Sequence, residues 1–183
     1  MAIIGVSATS TRSGNEFFDK VRGYGFEGRV YAVGRNGGTV AGEPIYPSVK
    51  DLPEVPDLVF GAVGMQATPQ AMTEAAAAWV KVGIVFTAGF AEMSDDGARI
   101  QQDMVARCNE LGMRVVGPNC MGVFSTGSRM NLTDVERLEP GRIGFVSQSG
   151  NIALTRSCRP IGCAKRTPVA PSLASWANRS PPR

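Results

Sequence analysis

Short runs of consecutive apolar residues alternate with segments of helical periodicity over the first 117 residues, and this alternation constrains the fold more than any other feature. Runs that are apolar at successive positions are typical of strands buried on both faces of a sheet. The predicted strands cover residues 2–7, 29–34, 57–64, 82–89 and 113–117, and the predicted helices cover residues 15–26, 68–80 and 94–112. The sequence therefore predicts an α/β fold, a Rossmann-like doubly wound parallel sheet.

The helix limits are predicted from capping residues. Thr68 is expected to cap the second helix, with Pro69 in its first turn. The third helix has acidic residues in its first turn and Gly112 at its end.

Each predicted strand runs into a loop of small residues. The five loops read "SATSTRSG", "GRNGG", "GMQATP", "TAGF" and "GPNC". Small residues are also ordinary turn formers, so one such loop would indicate little. The carboxyl ends of parallel strands share one edge of the sheet, so five such loops favour a site for a large, extended, nucleotide-type ligand.

The loops do not match the common nucleotide motifs. A dinucleotide fingerprint requires G-x-G-x-x-G after the first strand, whereas Gly5 is followed by no glycine until Gly14. The second strand ends in Gly34 and Arg35 rather than in an acidic ribose-binding residue, and no G-K-[ST] sequence of a P-loop occurs. Instead, hydroxyl side chains and Arg12 in the first loop suit a phosphate group.

Charge and cysteine usage exclude other classes of protein. Six of the 19 basic residues lie in residues 156–183, which hold no acidic residue, so residues 1–155 carry 13 basic and 16 acidic residues. We therefore expect no nucleic acid as partner. No apolar run reaches a membrane span, and no signal peptide is predicted. The chain has no histidine, and Cys108, Cys120, Cys158 and Cys163 lack metal-ligand spacing, which argues against a metal site and favours a cytoplasmic protein.

Several segments resemble the CoA-binding domain of the NDP-forming acyl-CoA synthetases, a family of acid–CoA ligases. They read "IIGVSATSTRSGNEFF", "YPSVKDLP", "VFTAGFAE", "GMRVVGPNCMGV" and "PGRIGFVSQSG", in collinear order from about residue 2 to residue 155. The family includes the succinyl-CoA synthetase α subunit and the ADP-forming acetyl-CoA synthetases. The resemblance implies coenzyme A as the cofactor.

The resemblance also implies the site residues. The phosphoadenosine end of CoA is expected on the first two strand loops, and the pantetheine arm on the others. The implied CoA-binding residues are Ser10, Thr11, Arg12, Ser13, Arg35, Asn36, Phe86, Thr87, Ala88, Asn119 and Cys120. No catalytic residue and no metal ligand is assigned.

Two positions depart from the family's pattern, and one cysteine has two interpretations. Asn36 stands where the family usually carries a lysine, for which Arg35 is a possible substitute, and Gly64 replaces a proline. Cys120 lies either beside the thiol end of CoA or as an inert buried thiol, and it is not expected to be a nucleophile.

The chain divides into three predicted regions. Residues 1–139 form the CoA-binding domain, residues 140–155 begin a second, flavodoxin-like ligase domain that is incomplete here, and residues 156–183 form an irregular basic tail. The tail fits a frameshifted reading, a disordered extension or an arm on a partner chain. The abrupt change of composition favours the first, and the start of the chain on the first strand suggests truncation there also.

The family passes a phosphoryl group through a histidine of the second domain, and this chain has none. We therefore expect CoA or acyl-CoA binding without turnover, with a β subunit or the remainder of the synthetase as partner. A stand-alone CoA-sensing regulatory module is the alternative function, and an NAD(P)-binding Rossmann domain is a third, weaker alternative.

Overall fold

The computed structural model describes residues 1–9 and 13–133, the strand residues 145–147 and 172–175, and residue 149. Three of the expected site residues, Ser10, Thr11 and Arg12, lie outside the described residues, as does most of the region after residue 133.

The main sheet has seven strands, in the order β3-β4-β2-β1-β5-β6-β7. The strands are β1 (Ala2–Ile4), β2 (Tyr31–Val33), β3 (Thr39–Val40), β4 (Glu43–Tyr46), β5 (Leu58–Gly61), β6 (Val82–Val85) and β7 (Arg114–Val116). All neighbours pair in parallel except β3, which is antiparallel to β4. The predicted doubly wound parallel sheet is thus confirmed.

Among the described residues, three helices cover the two faces of this sheet: α1 (Ser13–Gly23), α2 (Thr68–Ala77) and α3 (Asp95–Glu110). Phe17 and Phe18 of α1 share one buried cluster with Ile3, Phe60 and Ile84 of the sheet. Met72 of α2 and Met104 of α3 share the other with Ala2, Val59 and Val85. Successive strand residues point to opposite faces, so both clusters draw on every central strand, which explains the unbroken apolar runs.

The segment between β2 and β5 contains elements that the sequence analysis missed. It forms the β3–β4 hairpin and a short 3₁₀-helix (Val49–Asp51) capped by the Ser48 side chain. Ala41 and Gly42 turn the hairpin with φ angles of 47° and 80°. The strands are too short and too polar to produce a periodic signal.

The predicted N-cap of α2 is wrong. Ala67 is the N-cap, and Thr68 is the first helical residue. The Thr68 hydroxyl donates hydrogen bonds to the carbonyl oxygens of Val63 (3.3 Å) and Gly64 (3.1 Å). Because Thr68 is completely buried, its hydroxyl is used to hold the preceding loop rather than to cap the helix.

A second sheet has the order β10-β11-β8-β9. Its strands are β8 (Val123–Ser125), β9 (Met130–Asn131), β10 (Phe145–Ser147) and β11 (Ser172–Ser175). Strand β10 falls in the predicted start of the second domain. Strand β11 falls in the tail that was expected to be irregular, and it pairs in parallel with β10 and antiparallel with β8.

The second sheet is joined to the first through helix α1. The Lys20 ammonium donates a hydrogen bond to the Thr133 carbonyl at 2.8 Å. The rings of Tyr24 and Phe124 pack edge to face at 5.2 Å. In the part of the chain that the structure describes, no helix is long and apolar enough to cross a membrane.

Candidate functional site

A cleft of about 530 Å³ opens at the carboxyl ends of β1, β2 and β5. In the sheet, β1 lies between β2 and β5, so the chain order reverses at β1. Open α/β sheets bind ligands at this position. The lining residues are Ile4, Gly5, Val6, Ser7, Thr9, Val33, Gly34, Arg35, Asn36, Gly37, Pro47, Ser48, Val49, Ala62, Val63, Gly64, Ala67, Gln70, Ala71 and Glu74.

Three glycines let the loops under the cleft approach one another. A Cβ on Gly34 would lie 1.9 Å from the Val6 carbonyl oxygen, and one on Gly5 would lie 2.4 Å from that of Ala62. A Cβ on Gly14, in the first turn of α1, would lie 2.3 Å from the Gly5 carbonyl oxygen. Each contact is with backbone, which has no freedom to move aside. Glycine is therefore required at all three positions.

Asn15 fixes the start of the loop after β1, and the sequence analysis missed it. Its Oδ1 accepts the Ser7 N–H at 3.0 Å, and its Nδ2 donates to the Ser7 carbonyl at 2.7 Å. Ser13 begins α1 beside it. An asparagine in the first turn of a helix after a strand was the available signal.

Arg35 and Asn36 lie on the loop after β2, and both line the cleft. The turn is closed by the Gly37 N–H, which donates to the Gly34 carbonyl at 3.0 Å. Both side chains are exposed, and Arg35 forms no ion pair with any residue that the structure describes. The loop therefore offers one uncompensated positive charge to a ligand.

The loops after β6 and β7 continue the same rim but do not line the cleft. The Thr87 hydroxyl donates to the Val63 carbonyl, and the Asn119 N–H donates to the Thr87 carbonyl at 2.9 Å. Ala88 is exposed beside Thr87. The Phe86 ring packs on the Phe17 ring, with 4.9 Å between the ring centroids. We call residues 5–9, 34–37 and 62–64 the open half of the rim, and residues 86–89 and 117–120 the tied half.

Cys120 lies at the inner end of the tied half. It is 1% exposed and belongs to the buried cluster on the α1 side of the sheet. Its sulfur accepts the Gly122 N–H at 3.4 Å, and its own N–H donates to the Val85 carbonyl at 3.3 Å. The preceding turn contains a cis peptide bond between Gly117 and Pro118, and Asn119 has a φ of 54°. These contacts favour a packing role for the thiol.

The second buried thiol belongs to the opposite face. Cys108 of α3 is fully buried, and burial raises the pKa of its thiol to about 11. Within residues 1–9 and 13–133, no group of three or more histidine, cysteine, aspartate or glutamate side chains could hold a metal ion.

Comparison with known proteins places this chain in a family. A family model described as a CoA binding domain matches residues 1–126. The chain belongs to this CoA-binding domain family. Coenzyme A is thus confirmed as the cofactor, in agreement with the resemblance carried by the sequence motifs.

Relatives of this CoA-binding domain are considerably longer proteins. The ADP-forming acetate–CoA ligase I of Archaeoglobus fulgidus is 37% identical over 156 residues, which cover 84% of this chain and 22% of the ligase. The α subunit of the ADP-forming acetate–CoA ligase II of Pyrococcus furiosus is 34% identical over 150 residues, which cover 82% of this chain and 33% of that subunit. The chain thus spans a fifth to a third of the length of these relatives.

A solved structure shares the fold. The dinucleotide-forming acetyl-coenzyme A synthetase 1 of Ca. Korarchaeum cryptofilum, in complex with phosphate and ADP, superposes with a TM-score of 0.84 at 26% identity. The superposition covers 96% of this chain and 37% of the synthetase chain.

Proposed function

We propose that the cleft binds the phosphoadenosine end of coenzyme A. The observation that carries the proposal is the charge of Arg35, which has no described ion-pair partner and lies in the cleft at the strand-order reversal, beside the glycine-containing loops. A guanidinium binds phosphate through paired hydrogen bonds, and a pocket of this volume lies within the range of about 300–1,000 Å³ typical of ligand sites. The residues present therefore fit the phosphate-bearing part of the cofactor. Coenzyme A itself supplies the thiol that accepts an acyl group.

The pantetheine arm is proposed to run from the cleft along the tied half of the rim. Val63 lines the cleft, and Thr87 and Asn119 follow it in a chain of hydrogen bonds. This chain gives the arm a continuous, fixed surface that ends beside Cys120. Phe86, Ala88 and Asn119 are the proposed contacts along it. Ser13 stands with Ser10, Thr11 and Arg12 as a proposed contact at the other end.

The wider role is that of the CoA-binding part of an NDP-forming acid–CoA ligase. The lengths of the relatives support this proposal, because this chain corresponds to a minor part of each. Without a histidine, this chain has no side chain for the phosphoryl relay, so we infer that the remainder of the synthetase or a β subunit supplies it. The two free, buried cysteines among the described residues fit a reducing compartment, and we propose the cytoplasm.

Calorimetry with the full chain tests the binding proposal. We expect coenzyme A to bind and NAD to bind at least tenfold more weakly. Arg35→Ala should weaken CoA binding about tenfold and reduce its dependence on salt, because a charge-assisted hydrogen bond to phosphate is lost. Arg99→Ala is the matched control, since Arg99 is exposed on α3 and pairs with Asp96. Equal affinity for NAD and CoA, or an Arg35→Ala variant that binds like the wild type, would contradict the proposal.

A further inference from the structure

Among the residues that the structure describes, two charged side chains of opposite sign line the cleft. Arg35 follows β2, and Glu74 lies on α2, which follows β5. Because β2 and β5 flank β1, the two charges come from the two sides of the central strand. A ligand that fills the cleft therefore meets a cation on one side and a carboxylate on the other.

Glu74 forms a side-chain hydrogen bond within its own helix. Its Oε1 accepts a hydrogen bond from the Gln70 side-chain amide, one turn earlier, at 2.8 Å. Its Oε2 accepts no hydrogen bond from the residues that the structure describes, and no described cation pairs with it. An ionised carboxylate has only acceptor sites, so this wall of the cleft selects for a hydrogen-bond donor on the ligand.

The chemistry of coenzyme A limits which of its groups could donate a hydrogen bond to Glu74. Its phosphates carry negative charge and would be repelled by Glu74. The 3′-phosphate occupies one ribose hydroxyl and places negative charge next to the other. The 6-amino group of adenine is uncharged and has two N–H donors. The amide groups of pantetheine belong to the arm, which the proposed function places along the tied half.

We propose that Glu74 is a specificity-determining residue that accepts a hydrogen bond from the 6-amino group of the adenine base, with Gln70 fixing the carboxylate. The inference rests on the proposed binding of coenzyme A in the cleft. A purine with a 6-oxo group places an acceptor against the carboxylate and is disfavoured. The cleft thereby discriminates an adenine nucleotide from a hypoxanthine nucleotide.

The test compares adenosine 3′,5′-bisphosphate with inosine 3′,5′-bisphosphate by calorimetry on the full chain. These probes lack the pantetheine arm, so an effect of Glu74 on them must come from the nucleoside. We expect the wild type to prefer the adenosine compound about tenfold, the order expected for one charge-assisted hydrogen bond. Glu74→Gln should abolish or reverse the preference, because its amide can donate to the 6-oxygen. Gln70→Ala should reduce the preference about threefold.

The control is Glu110→Gln, which removes an exposed carboxylate from α3 and should leave the preference unchanged. Equal binding of the two probes by the wild type, or a tenfold preference retained by Glu74→Gln, would overturn the inference while coenzyme A binding stands. If the wild type binds neither the probes nor coenzyme A, both the inference and the proposed function fail. If Glu74→Gln weakens the binding of both probes to the same degree, the role of Glu74 is structural, and this result would also overturn the inference.

Discussion

The open and tied halves of the rim lie on one edge of one sheet, yet they are held in different ways. In the open half, backbone packs against backbone at Gly5 and Gly34. The Asn15 and Thr68 side chains that hold the loops come from helices α1 and α2. Arg35, on the loop itself, forms no ion pair with a described residue.

In the tied half, the Thr87 hydroxyl bonds to the loop after β5, and the Cys120 thiol bonds to Gly122 within its own loop. Where glycines and helix side chains fix the loops, the polar side chains of the loops themselves remain available to a ligand. Where the loops are fixed by their own side chains, those side chains are not available.

The largest expected effect concerns the glycines of the open half. Gly34→Ala should lower the free energy of unfolding by about 3 kcal/mol, because the new Cβ meets the fixed Val6 carbonyl and the loop must move. Gly23→Ala is the matched control, since its Cβ would meet nothing within 4 Å. Urea unfolding measures both. A Gly34→Ala variant as stable as Gly23→Ala would show that backbone approach does not hold the open half.

The second effect is a pH dependence beneath the tied half, where α3 packs against β7. Burial raises the pKa of the Cys108 thiol to about 11, so the unfolded chain ionises it near pH 9 while the folded chain keeps it neutral. Stability from this group is complete below pH 9 and is lost between pH 9 and 11. We expect the wild type to lose about 1–2 kcal/mol more than Cys108→Ala over this interval.

Urea unfolding of the two proteins at pH 8 and pH 10.5 measures that difference, and the remaining titrating groups cancel between them. If the free energy of unfolding falls equally in wild type and Cys108→Ala, the folded protein tolerates the ionised Cys108 thiolate, and the prediction is wrong.

The smallest effect concerns the bond that joins the two halves. Thr87→Val removes the hydroxyl that donates to the Val63 carbonyl and should cost about 1 kcal/mol, because Val63 still accepts from Thr68. Thr39→Val, on the exposed edge strand β3, is the control and should change stability by less than about 0.5 kcal/mol. Thermal unfolding separates the two. If Thr87→Val and Thr39→Val change the stability equally, the Thr87 hydroxyl does not hold the tied half to the loop after β5.

The sequence predicted the sheet better than the site, for physical reasons. Strands buried on both faces leave continuous apolar runs, so β1, β2, β5, β6 and β7 could each be placed to within a few residues. The β3–β4 hairpin could not be placed, because strands of two and four residues with mostly exposed positions carry no apolar pattern. Threonine is a common N-cap residue, so the sequence predicts Thr68 as a cap. Only the burial of Thr68 in the fold shows that its hydroxyl bonds to the preceding loop instead.

The site likewise contains residues that the sequence predicts and residues that only the fold reveals. Arg35 and Asn36 could be named because the turn after β2 is a sequence feature, and the structure brings both to the cleft. The structural roles of Gly14 and Asn15 could not be predicted, because their partners, Gly5 and Ser7, lie nine and eight residues away and meet them only in the fold. Glu74 belongs to an ordinary helical segment, and nothing in the sequence marks the side of α2 that borders the cleft.

Amide hydrogen exchange with and without saturating coenzyme A tests the central claim, that the open half holds the phosphoadenosine end of the cofactor. We predict the greatest added protection in residues 5–9, 34–37 and 62–64, and smaller added protection in residues 86–89 and 117–120, along which only the uncharged pantetheine arm is proposed to lie. Gly34→Ala should lose the difference in the open half. Protection by coenzyme A that leaves the open half unchanged would contradict the account.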